Sequence, residues 1–417
     1  MPVRNPRSAL APFLLAGLVW STGCSGPPDG DDATPLNERT TIGDTTFVRV
    51  GAPGPDDEVI VAVEELAIGQ LEGPDEYTFG SVTEILPDDA GGVYVFDGQA
   101  PALRYYGADG TYVRTIGGQG GGPGEYEDAV LGLSFRTDGR LVLRDARNGR
   151  VNVYEPDGSY ADEWPLASGL FTRQATVVDT ADHVFLKIMT GRPEEGRPWP
   201  IGMLHLDPDG EIVDTIPPPS IAGEPTSGAN GRFIPTKEWA LSRFRDLIIG
   251  VSDSYAFEIR RPHGPVIRVT KEWDPVVVGS EEKAEWQATL DWQWERSREF
   301  MSERFEPIPD TKPAYQGFYP GLDGSFWVHV HADAEKREVP QGDPDGPPPV
   351  TWAEPRMFDV FSNGGDYLGR VVIPARTNVY AFALTDLWGI RRGEFDEIYV
   401  VRLGMGDHIL FGDVGGE

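Results

Sequence analysis

The sequence predicts an all-β fold, a six-bladed β-propeller with a helical insertion between the fourth and fifth blades. Three observations support this prediction. The 417 residues include 51 Gly, 37 Pro and 11% aromatic residues, a composition typical of short strands joined by tight turns. Two stretches superimpose without a gap at an offset of 48 residues. Each stretch divides into segments with period-two alternation, separated by Asp-Gly or Asn-Gly turns that suit hairpins.

The first 23 residues have the layout of a secretory signal peptide. Arg4 and Arg7 precede an apolar run from Ala9 to Trp20, which is short for a membrane span. Small residues follow directly before Cys24, the one cysteine of the chain. A single cysteine cannot form an intrachain disulfide, and it excludes cysteine-rich metal motifs. We therefore expect residues 1–23 to be removed during export.

The sequence Ser-Thr-Gly-Cys that ends at Cys24 resembles the lipobox of bacterial lipoproteins. In that family the cysteine is acylated and becomes the new N-terminus, so the resemblance implies a membrane anchor made by lipid alone. Ser25 stands where Asp would indicate inner-membrane retention, which favours the outer membrane. Ser21 replaces the usual Leu and Pro12 interrupts the apolar region, so an ordinary signal peptide cut near Gly23 is the alternative.

The rest of the chain is predicted to contain a flexible tether at residues 24–44 and a single propeller domain at residues 45–417. The tether is predicted from its polar composition. The formal net charge of −31 repels phosphate backbones and excludes nucleic-acid binding. We interpret this acidity as a source of solubility, with an acidic ligand-steering face as the alternative.

The first two blades show the repeat most clearly. The landmarks that recur 48 residues apart are Asp97 and Asp145, Tyr106 and Tyr154, and Asp109-Gly110 and Asp157-Gly158. In the second blade, strands are predicted at 130–135, 141–145, 151–154 and 159–164. Four antiparallel strands of this kind make one propeller blade. We expect Asp97 and Asp145 to fix blade turns by accepting hydrogen bonds from backbone amides.

The run from Gly117 to Tyr160 resembles the repeats of the NHL family. It has a Gly-Pro-Gly-Glu connection, an Asp-Gly turn, a strand that ends in Asp, an Asn-x-Arg motif and a last Asp-Gly turn. The residues that carry the match are Gly120 to Glu125, Asp138-Gly139, Asp145, Asn148, Arg150 and Asp157-Gly158. The resemblance implies a propeller, and it implies a role as an interaction platform.

The later blades are more diverged. A third unit is predicted from Ala175 to Ile216, a fourth from Thr236 to Trp273, a fifth from Tyr315 onward and a sixth from Asn378 onward. The sixth supplies three strands. We expect Val59 to Glu65 to supply its fourth strand and to close the ring, because closure removes open sheet edges. Five or seven blades remain alternatives.

Two insertions interrupt the later part of the chain. Residues 280–305 are predicted to form a helix, with a Ser cap, acids in the first turn and apolar residues at helical spacing. These apolar residues are Trp286, Leu290, Trp294, Met301 and Phe305. The apolar stripe is expected to pack on the propeller, with a partner-binding ridge as the alternative. Residues 334–355 are predicted to form a long polar loop, either disordered or a lid.

The Gly-rich run GGQGGGPGEYE is interpreted as a connection between blades. It matches neither GxxxxGK[ST] nor GxGxxG, and a strand, not a helix, is predicted after it. Its glycines would let the chain cross tightly from an outer strand to the inner strand of the next blade. The chain also lacks GxSxG and HExxH motifs.

Histidines and carboxylates are the remaining candidates for chemistry. The six histidines are His183, His205, His263, His329, His331 and His408. His329 and His331 alternate onto one strand face and could share zinc, as in propeller enzymes that resemble peptidyl-amidating lyases. Lactonase-like propellers instead use calcium, and the candidate channel carboxylates here are Glu84, Asp128, Asp179 and Asp386. In both cases ordinary structural residues are the alternative interpretation.

These observations predict an envelope lipoprotein whose propeller binds a protein, peptide or glycan, without catalysis and without a cofactor. The basis is the NHL-like repeat together with the lack of a catalytic motif, and it is an analogy of fold. A metal-dependent lyase or lactonase that acts at the central channel is the alternative. A sensor domain is a third possibility.

Overall fold

The computed structural model describes residues 36–52, 59–127, 132–166, 176–192, 199–225, 231–299, 304–339 and 346–405. The predicted signal peptide and Cys24 lie outside these residues. Within the described ranges, no helix is long and apolar enough to cross a membrane. The same ranges are built from strands, with one α-helix, so the all-β prediction is confirmed.

The strands of the first half of the chain have the following bounds. Before the first blade come β1 (Asn37–Ile42), β2 (Thr45–Val50), β3 (Val59–Val61) and β4 (Val63–Ile68), followed by a 3₁₀ turn at Asp75–Tyr77. The first blade contains β5 (Val82–Pro87), β6 (Val93–Asp97), β7 (Ala102–Tyr106) and β8 (Tyr112–Ile116). The connection to the second blade contains β9 (Gly118–Gln119) and β10 (Glu125–Tyr126). The second blade contains β11 (Leu133–Phe135), β12 (Leu141–Asp145), β13 (Arg150–Tyr154) and β14 (Tyr160–Pro165). The third contains β15 (Thr176–Val178), β16 (Val184–Met189), β17 (Ile201–Leu206) and β18 (Ile212–Ile216).

The second half continues the pattern and carries both insertions. The fourth blade contains β19 (Lys237–Leu241), β20 (Leu247–Val251), β21 (Ala256–Arg260) and β22 (Val266–Lys271). The helix α1 (Ser280–Ser297) follows. The fifth blade contains β23 (Tyr315–Pro320), β24 (Phe326–Val330), β27 (Met357–Phe361) and β28 (Tyr367–Val372), with the short strands β25 (Glu335–Lys336) and β26 (Trp352–Ala353) in its long loop. The sixth contains β29 (Thr377–Phe382), β30 (Asp386–Arg392) and β31 (Ile398–Gly404).

The blades are arranged around a central axis. The first strands of neighbouring blades contact one another, as β5 does with β11, β11 with β15, β19 with β23 and β29 with β5. The first strands therefore line the centre, and later strands of each blade lie farther out. The described residues form six such blades, and α1 follows the fourth in sequence. The six-bladed prediction is confirmed, and five or seven blades are excluded.

The N-terminal strands close the ring in a way that the sequence predicted in part. Strand β4 pairs antiparallel with β31 and completes the sixth blade. Strand β3 pairs in parallel with β28 and belongs to the fifth blade. The chain passes from one blade to the next at Ala62, which is buried and donates its N–H to the carbonyl of Val372 at 3.0 Å. The predicted closing strand, Val59 to Glu65, is therefore corrected to Val63–Ile68.

The predicted tether is also shorter than expected. Residues 37–42 form β1, which pairs with β2, and β2 adds in parallel to β22 at the outer side of the fourth blade. Val48 and Val50 of β2 are buried in the core of that blade. Strand β1 is polar and exposed, so no apolar alternation in the sequence marks it as a strand. The prediction of a flexible segment up to residue 44 is wrong for its last part.

The Gly-rich connection crosses between the first and second blades as predicted. Arg150 donates through Nη2 to the carbonyl oxygens of Gly122 at 2.6 Å and Glu125 at 2.9 Å. The hydroxyl of Tyr154 donates to the carbonyl of Gly124 at 3.1 Å. Gly124 has a φ of 70°, which favours glycine. Side chains of the second blade thus hold the backbone of the connection, so these residues of the repeat make structural contacts.

The repeated aspartates hold turns, as expected. Asp97 accepts hydrogen bonds from the backbone N–H groups of Gly80, Ser81 and Gln99 at 3.0, 2.9 and 3.1 Å. Asp145 accepts one from the backbone N–H of Asn148 at 3.2 Å. Both carboxylates are buried, and these contacts account for their place in the fold.

The helical insertion is shorter than its prediction of 280–305, because α1 ends at Ser297. Its N-cap is Gly279, so Ser280 is the first helical residue and not the cap. Leu290 packs in a cluster with Phe233, Val278 and Ile308, together with Trp286 and Phe305. Trp286, Leu290 and Phe305 of the predicted stripe thus pack with the chain's own connecting segments, whereas Trp294 is not part of this cluster. Residues 300–303, including Met301, lie outside the described residues.

The long loop of the fifth blade is held on α1 in its described parts. Strands β25 and β26 pair antiparallel. The backbone N–H and hydroxyl of Thr351 donate to the carboxylate of Glu285 at 2.6 and 2.8 Å. The hydroxyl of Thr289 donates to the carbonyl of Pro348 at 3.3 Å. The prediction of an unstructured polar loop at 334–355 is wrong for these parts, because polar contacts to the helix replace the apolar packing that the loop lacks.

Candidate functional site

A cavity of about 620 Å³ lies between the fourth and fifth blades, beside the segments that connect to α1. The residues that line it are Ala52, Tyr255, Lys271, Glu272, Trp273, Asp274, Val276, Pro313, Ala314, Val330, His331 and Arg370. One wall comes from the ends of β22 and β24, and another comes from the connection that follows β22. This cavity is referred to below as the pocket.

The cationic side chains of the pocket come from strands. Lys271 is the last residue of β22 and continues the inward-facing series of Ile267 and Val269, so its side chain is 3% exposed. Arg370 lies in β28, where it pairs across the sheet with Asp359 of β27. Asp359 is fully buried behind the pocket wall. The alternation of the strands therefore places Lys271 and Asp359 in a buried layer, with Arg370 partly exposed beside them.

Asp359 is the centre of a buried network. Arg370 donates through Nε to Oδ1 at 2.6 Å and through Nη2 to Oδ2 at 3.1 Å. The hydroxyl of Tyr255 donates to Oδ2 at 2.7 Å, and Nζ of Lys271 lies 3.5 Å from the same oxygen. The ammonium group of Lys271 also lies over the rings of Tyr255 and Tyr367, 5.1 and 5.0 Å from their centroids. Two cations thus share one carboxylate.

The protonation of the network follows from burial and from Asp359. Burial raises the pKa of Tyr255 well above its usual value, and the charge of Asp359 raises it further, so the phenol stays a hydrogen-bond donor. Burial opposes the charge of Arg370, but the hydrogen bonds and charge of Asp359 outweigh it and raise the pKa of that guanidinium. Arg370 therefore keeps its positive charge throughout the physiological range.

A second charged cluster fastens the opposite wall. Nδ1 of His331 lies 2.9 Å from Oε2 of Glu354. Nζ of the fully buried Lys312 lies 3.1 Å from Glu354 and 2.9 Å from Glu282 of α1. Burial raises the pKa of Glu354, but the hydrogen bond and charge of His331 and the charge of Lys312 outweigh it and lower that pKa to about 2. Glu354 is thus a carboxylate that contacts His331 and shares Lys312 with Glu282 of the helix.

The two histidines proposed for zinc have separate surroundings. His329 stacks on the ring of Phe358, with centroids 4.9 Å apart, and burial lowers its pKa to about 4. His331 lines the pocket and is bound to Glu354. In the part of the chain that the structure describes, no group of three or more His, Cys, Asp or Glu side chains could hold a metal ion.

The other histidines that the structure describes are not among the residues that line the pocket. Nδ1 of His183 is 2.7 Å from Nε2 of His205 in the third blade, and Nδ1 of His205 is 3.0 Å from Asp214. His263 is exposed in the turn between β21 and β22, and His408 lies outside the described residues.

The three candidate channel carboxylates that the structure describes, Glu84, Asp179 and Asp386, do not form a group that could hold a metal ion. Asp179 accepts hydrogen bonds from the backbone N–H groups of Ala181 and His183 at 2.8 and 2.9 Å, so it holds a turn. Asp386 accepts one from Nε1 of Trp388 at 3.2 Å. Glu84 lies on the first strand of the first blade, and Asp128 lies outside the described residues.

Sequence reasoning missed the residues that make the pocket, namely Tyr255, Lys271, Trp273, Asp359 and Arg370. Two signals were available. Lys271 follows Ile267 and Val269 at a spacing of two, so it occupies a position of the buried face. Asp359 stands in the strand Met-Phe-Asp-Val-Phe, whose apolar neighbours indicate burial on both faces. A charge at such a position needs a partner, although its partner cannot be read from the sequence.

The comparisons with known proteins concern the fold. The chain matches no model of a protein family and no curated protein. A member of the DUF4221 family from Bacteroides vulgatus aligns with a TM-score of 0.50 at 10% identity, over 84% of this chain and 98% of that chain. A Bacteroides fragilis protein that is inferred to be exported gives 0.46 at 10% identity, over 86% and 99%. Virginiamycin B lyase from Staphylococcus aureus gives 0.37 at 14% identity, over 76% and 83%.

Proposed function

We propose that this protein is an exported, lipid-anchored bacterial binding protein, whose propeller holds a segment of a peptide or envelope protein in the pocket. The observation that carries the proposal is the pocket itself, a cavity of about 620 Å³ with aromatic, apolar and cationic walls. Ligand sites of proteins are typically clefts of about 300–1,000 Å³ with apolar walls and a few placed polar groups.

The rigidity of the walls supports a binding role. Lys271 and Arg370 are held by Asp359, and His331 is held by Glu354. Such partners keep side chains in one orientation, which reduces the entropy that is lost when a ligand binds. Lys271, Val330 and Arg370 belong to strands of the fourth and fifth blades, so this part of the pocket is formed before the ligand arrives.

Export and anchoring are proposed from the sequence. The apolar run and the Ser-Thr-Gly-Cys sequence support acylation of Cys24. Residues 25–35 would then join the lipid to the folded domain, which begins at Leu36. Several acyl chains on one residue give a firm anchor, because each buried methylene contributes about 0.8 kcal/mol. The outer membrane is the expected location.

Metabolic labelling with an alkyne fatty acid tests the anchor. We expect the full chain, expressed in a bacterial host, to be labelled and to sediment with outer-membrane vesicles. The variant Cys24→Ser should lose the label and the membrane fraction, whereas Ser25→Ala should keep both. A Cys24→Ser protein that is labelled and membrane-bound as before would contradict the proposal.

A steric block tests the pocket. Val276 lines the pocket, whereas the adjacent Val277 is 66% exposed and does not. Calorimetric titration with a library of short peptides and oligosaccharides should identify peptides whose binding is lost in Val276→Trp and kept in Val277→Trp. Oligosaccharide binding alone would favour a glycan ligand and contradict the peptide assignment. Equal binding by both variants would place the ligand elsewhere.

The enzymatic alternative has its own test. A lyase- or lactonase-like role would require zinc or calcium at the propeller. Metal analysis of the purified protein should give no stoichiometric metal if the protein is a binding protein. Stoichiometric zinc that disappears in a variant with both His329→Ala and His331→Ala would favour the enzyme.

A further inference from the structure

We propose that the pocket binds the carboxylate of a ligand whose adjacent group is apolar or aromatic, which is the chemistry of a peptide C-terminus. This inference rests on the proposed function and names the ligand class of the same site. Three features of the walls support it: their charge, the donors of Arg370 and the apolar lining.

The charge of the wall favours a single negative charge. Lys271 and Arg370 line the pocket, and Asp359 lies behind them, so two cationic side chains share this carboxylate at the wall. The side chains of Lys271 and Asp359 are 3% and 0% exposed, and solvent therefore screens them weakly. A carboxylate that enters the pocket would lie beside these two cationic side chains. The whole chain has a net charge of −31, so the attraction is a local property of this wall.

The guanidinium of Arg370 has donors that the network does not use on Asp359. Its contacts to Asp359 are made by Nε and Nη2. A guanidinium has five N–H bonds, and those on Nη1 point away from the edge that holds the carboxylate. Since Arg370 lines the pocket, a ligand carboxylate can accept a hydrogen bond there while Asp359 holds the side chain in place.

The remaining walls suit an apolar group next to the carboxylate. Val276, Pro313, Ala314 and Val330 contribute apolar surface, and Trp273 contributes an aromatic ring. Burial of apolar surface contributes about 25 cal/mol per Å², so these residues favour a ligand with a hydrophobic side chain.

The rim opposes a second negative charge on the ligand. Glu272 and Asp274 border the pocket, and Glu272 is paired with Arg49 at 3.1 Å. A ligand with two negative charges would be repelled more strongly by these two acidic side chains than a ligand with one. A monocarboxylate is therefore expected to bind more tightly than a phosphate monoester of similar size.

Calorimetric titration of the detergent-solubilised full chain tests the inference with three probes: N-acetylphenylalanine, its amide and phenyl phosphate. We expect the acid to bind about tenfold to a hundredfold more tightly than the amide, the range typical of charge-assisted hydrogen bonds. The acid should also bind more tightly than phenyl phosphate. The variant Val276→Asp places a negative charge at the pocket and should no longer bind N-acetylphenylalanine. Val277→Asp makes the same change on the exposed neighbour and should still bind it.

The outcomes separate the ligand class from the proposed function. Equal binding of acid and amide, lost for both in Val276→Asp, would overturn the carboxylate assignment and leave the pocket as a binding site. Tighter binding of phenyl phosphate would overturn it as well. Lack of binding by all three probes, with peptides still bound in the steric test, would overturn the carboxylate assignment alone. Binding of the acid that is unchanged in Val276→Asp would contradict both proposals.

Discussion

Asp359 and Lys312 are charged side chains in the interior of this protein. Asp359 accepts hydrogen bonds from Tyr255 and Arg370, and Lys312 lies between Glu282 and Glu354. Burying an ionised group without a partner costs several kcal/mol, so the stability of the fold requires these contacts. The charged residues beside the pocket are therefore needed for stability, in addition to any role in binding a ligand.

His329 should make the protein sensitive to acid. Burial lowers its pKa from 6.5 to about 4, so between these pH values the unfolded chain binds a proton that the folded chain does not. The free energy of unfolding should fall as the pH drops through this window. Between pH 7 and pH 4.5, we expect the decrease in the free energy of unfolding to be about 2 kcal/mol smaller in His329→Gln than in the native protein.

Urea unfolding at both pH values measures this difference. His263→Gln is the matched control, because His263 is exposed. That variant should retain the acid sensitivity of the native protein. If His329→Gln and His263→Gln lose equal stability on acidification, the buried neutral imidazole of His329 is not the cause of the acid sensitivity.

At the level of elements, α1 is attached to the propeller by charge as well as by apolar contacts. Its apolar cluster contains Leu290, Phe233, Val278 and Ile308. Glu282, in the first turn of the helix, is bound to Lys312, which also donates to the carbonyl of Ala332 at 3.2 Å. The helix therefore forms part of the structure beside the pocket and is not an independent appendage.

Removal of the Lys312 charge should loosen this element. In Lys312→Met two buried carboxylates lose their shared cation, and breaking a buried pair from one side costs about 3–5 kcal/mol. We expect the amides of α1 to exchange hydrogen faster by at least about tenfold, measured by mass spectrometry. Lys283→Met is the control, because Lys283 forms an exposed pair with Asp310. Unchanged exchange in α1 would show that the apolar cluster alone holds it.

At the scale of the whole molecule, residues 36–68 connect three blades. Strands β1 and β2 add to the fourth blade, β3 adds to the fifth, and β4 completes the sixth. Ile60, Ala62 and Ile68 are buried in the cores that these strands join. The two ends of the propeller are thus held together by backbone pairing and apolar contact, which leaves β31 covered.

Truncation tests this closure. A chain that begins at Gly69 should lose cooperative thermal unfolding and should aggregate, because β31 becomes an open edge and the cores of the fifth and sixth blades lose apolar partners. A chain that begins at Leu36 should unfold as the longer chain does. Size-exclusion chromatography and calorimetry give both readouts. A soluble, cooperatively folded chain from Gly69 would contradict the role of β4.

The net charge of −31 should also affect the whole molecule. Repulsion among the acids destabilises the compact state, and salt screens it. The Debye length is ~10 Å near 0.1 M salt and shortens as salt is added. We therefore expect the thermal midpoint at pH 7 to rise as NaCl increases from ~10 to ~500 mM. The rise should be smaller near pH 4.5, the sequence pI. A midpoint that does not depend on salt at pH 7 would contradict this expectation.

Much of the fold follows from local patterns. The alternation of strands, the Asp-Gly turns and the repeat between Asp97 and Asp145 predict blades, because a hairpin is encoded by residues that are close in the chain. The closing strand was located to within a few residues, since its offset from the first blade preserves the repeat. The hairpin β1–β2 was not predicted, because β1 is polar and lacks the apolar alternation of the other strands.

By itself, the sequence determined the six-bladed all-β architecture, the position of the helical insertion and the role of Asp97, Asp145 and the Gly-rich run. The tertiary structure decided the pocket, because Lys271 and Tyr255 belong to the fourth blade and Asp359 to the fifth, and they approach only when the blades pack. Turns and strands depend on neighbours in the chain, whereas a site between blades depends on residues about 100 positions apart, for which a single sequence has no local signal.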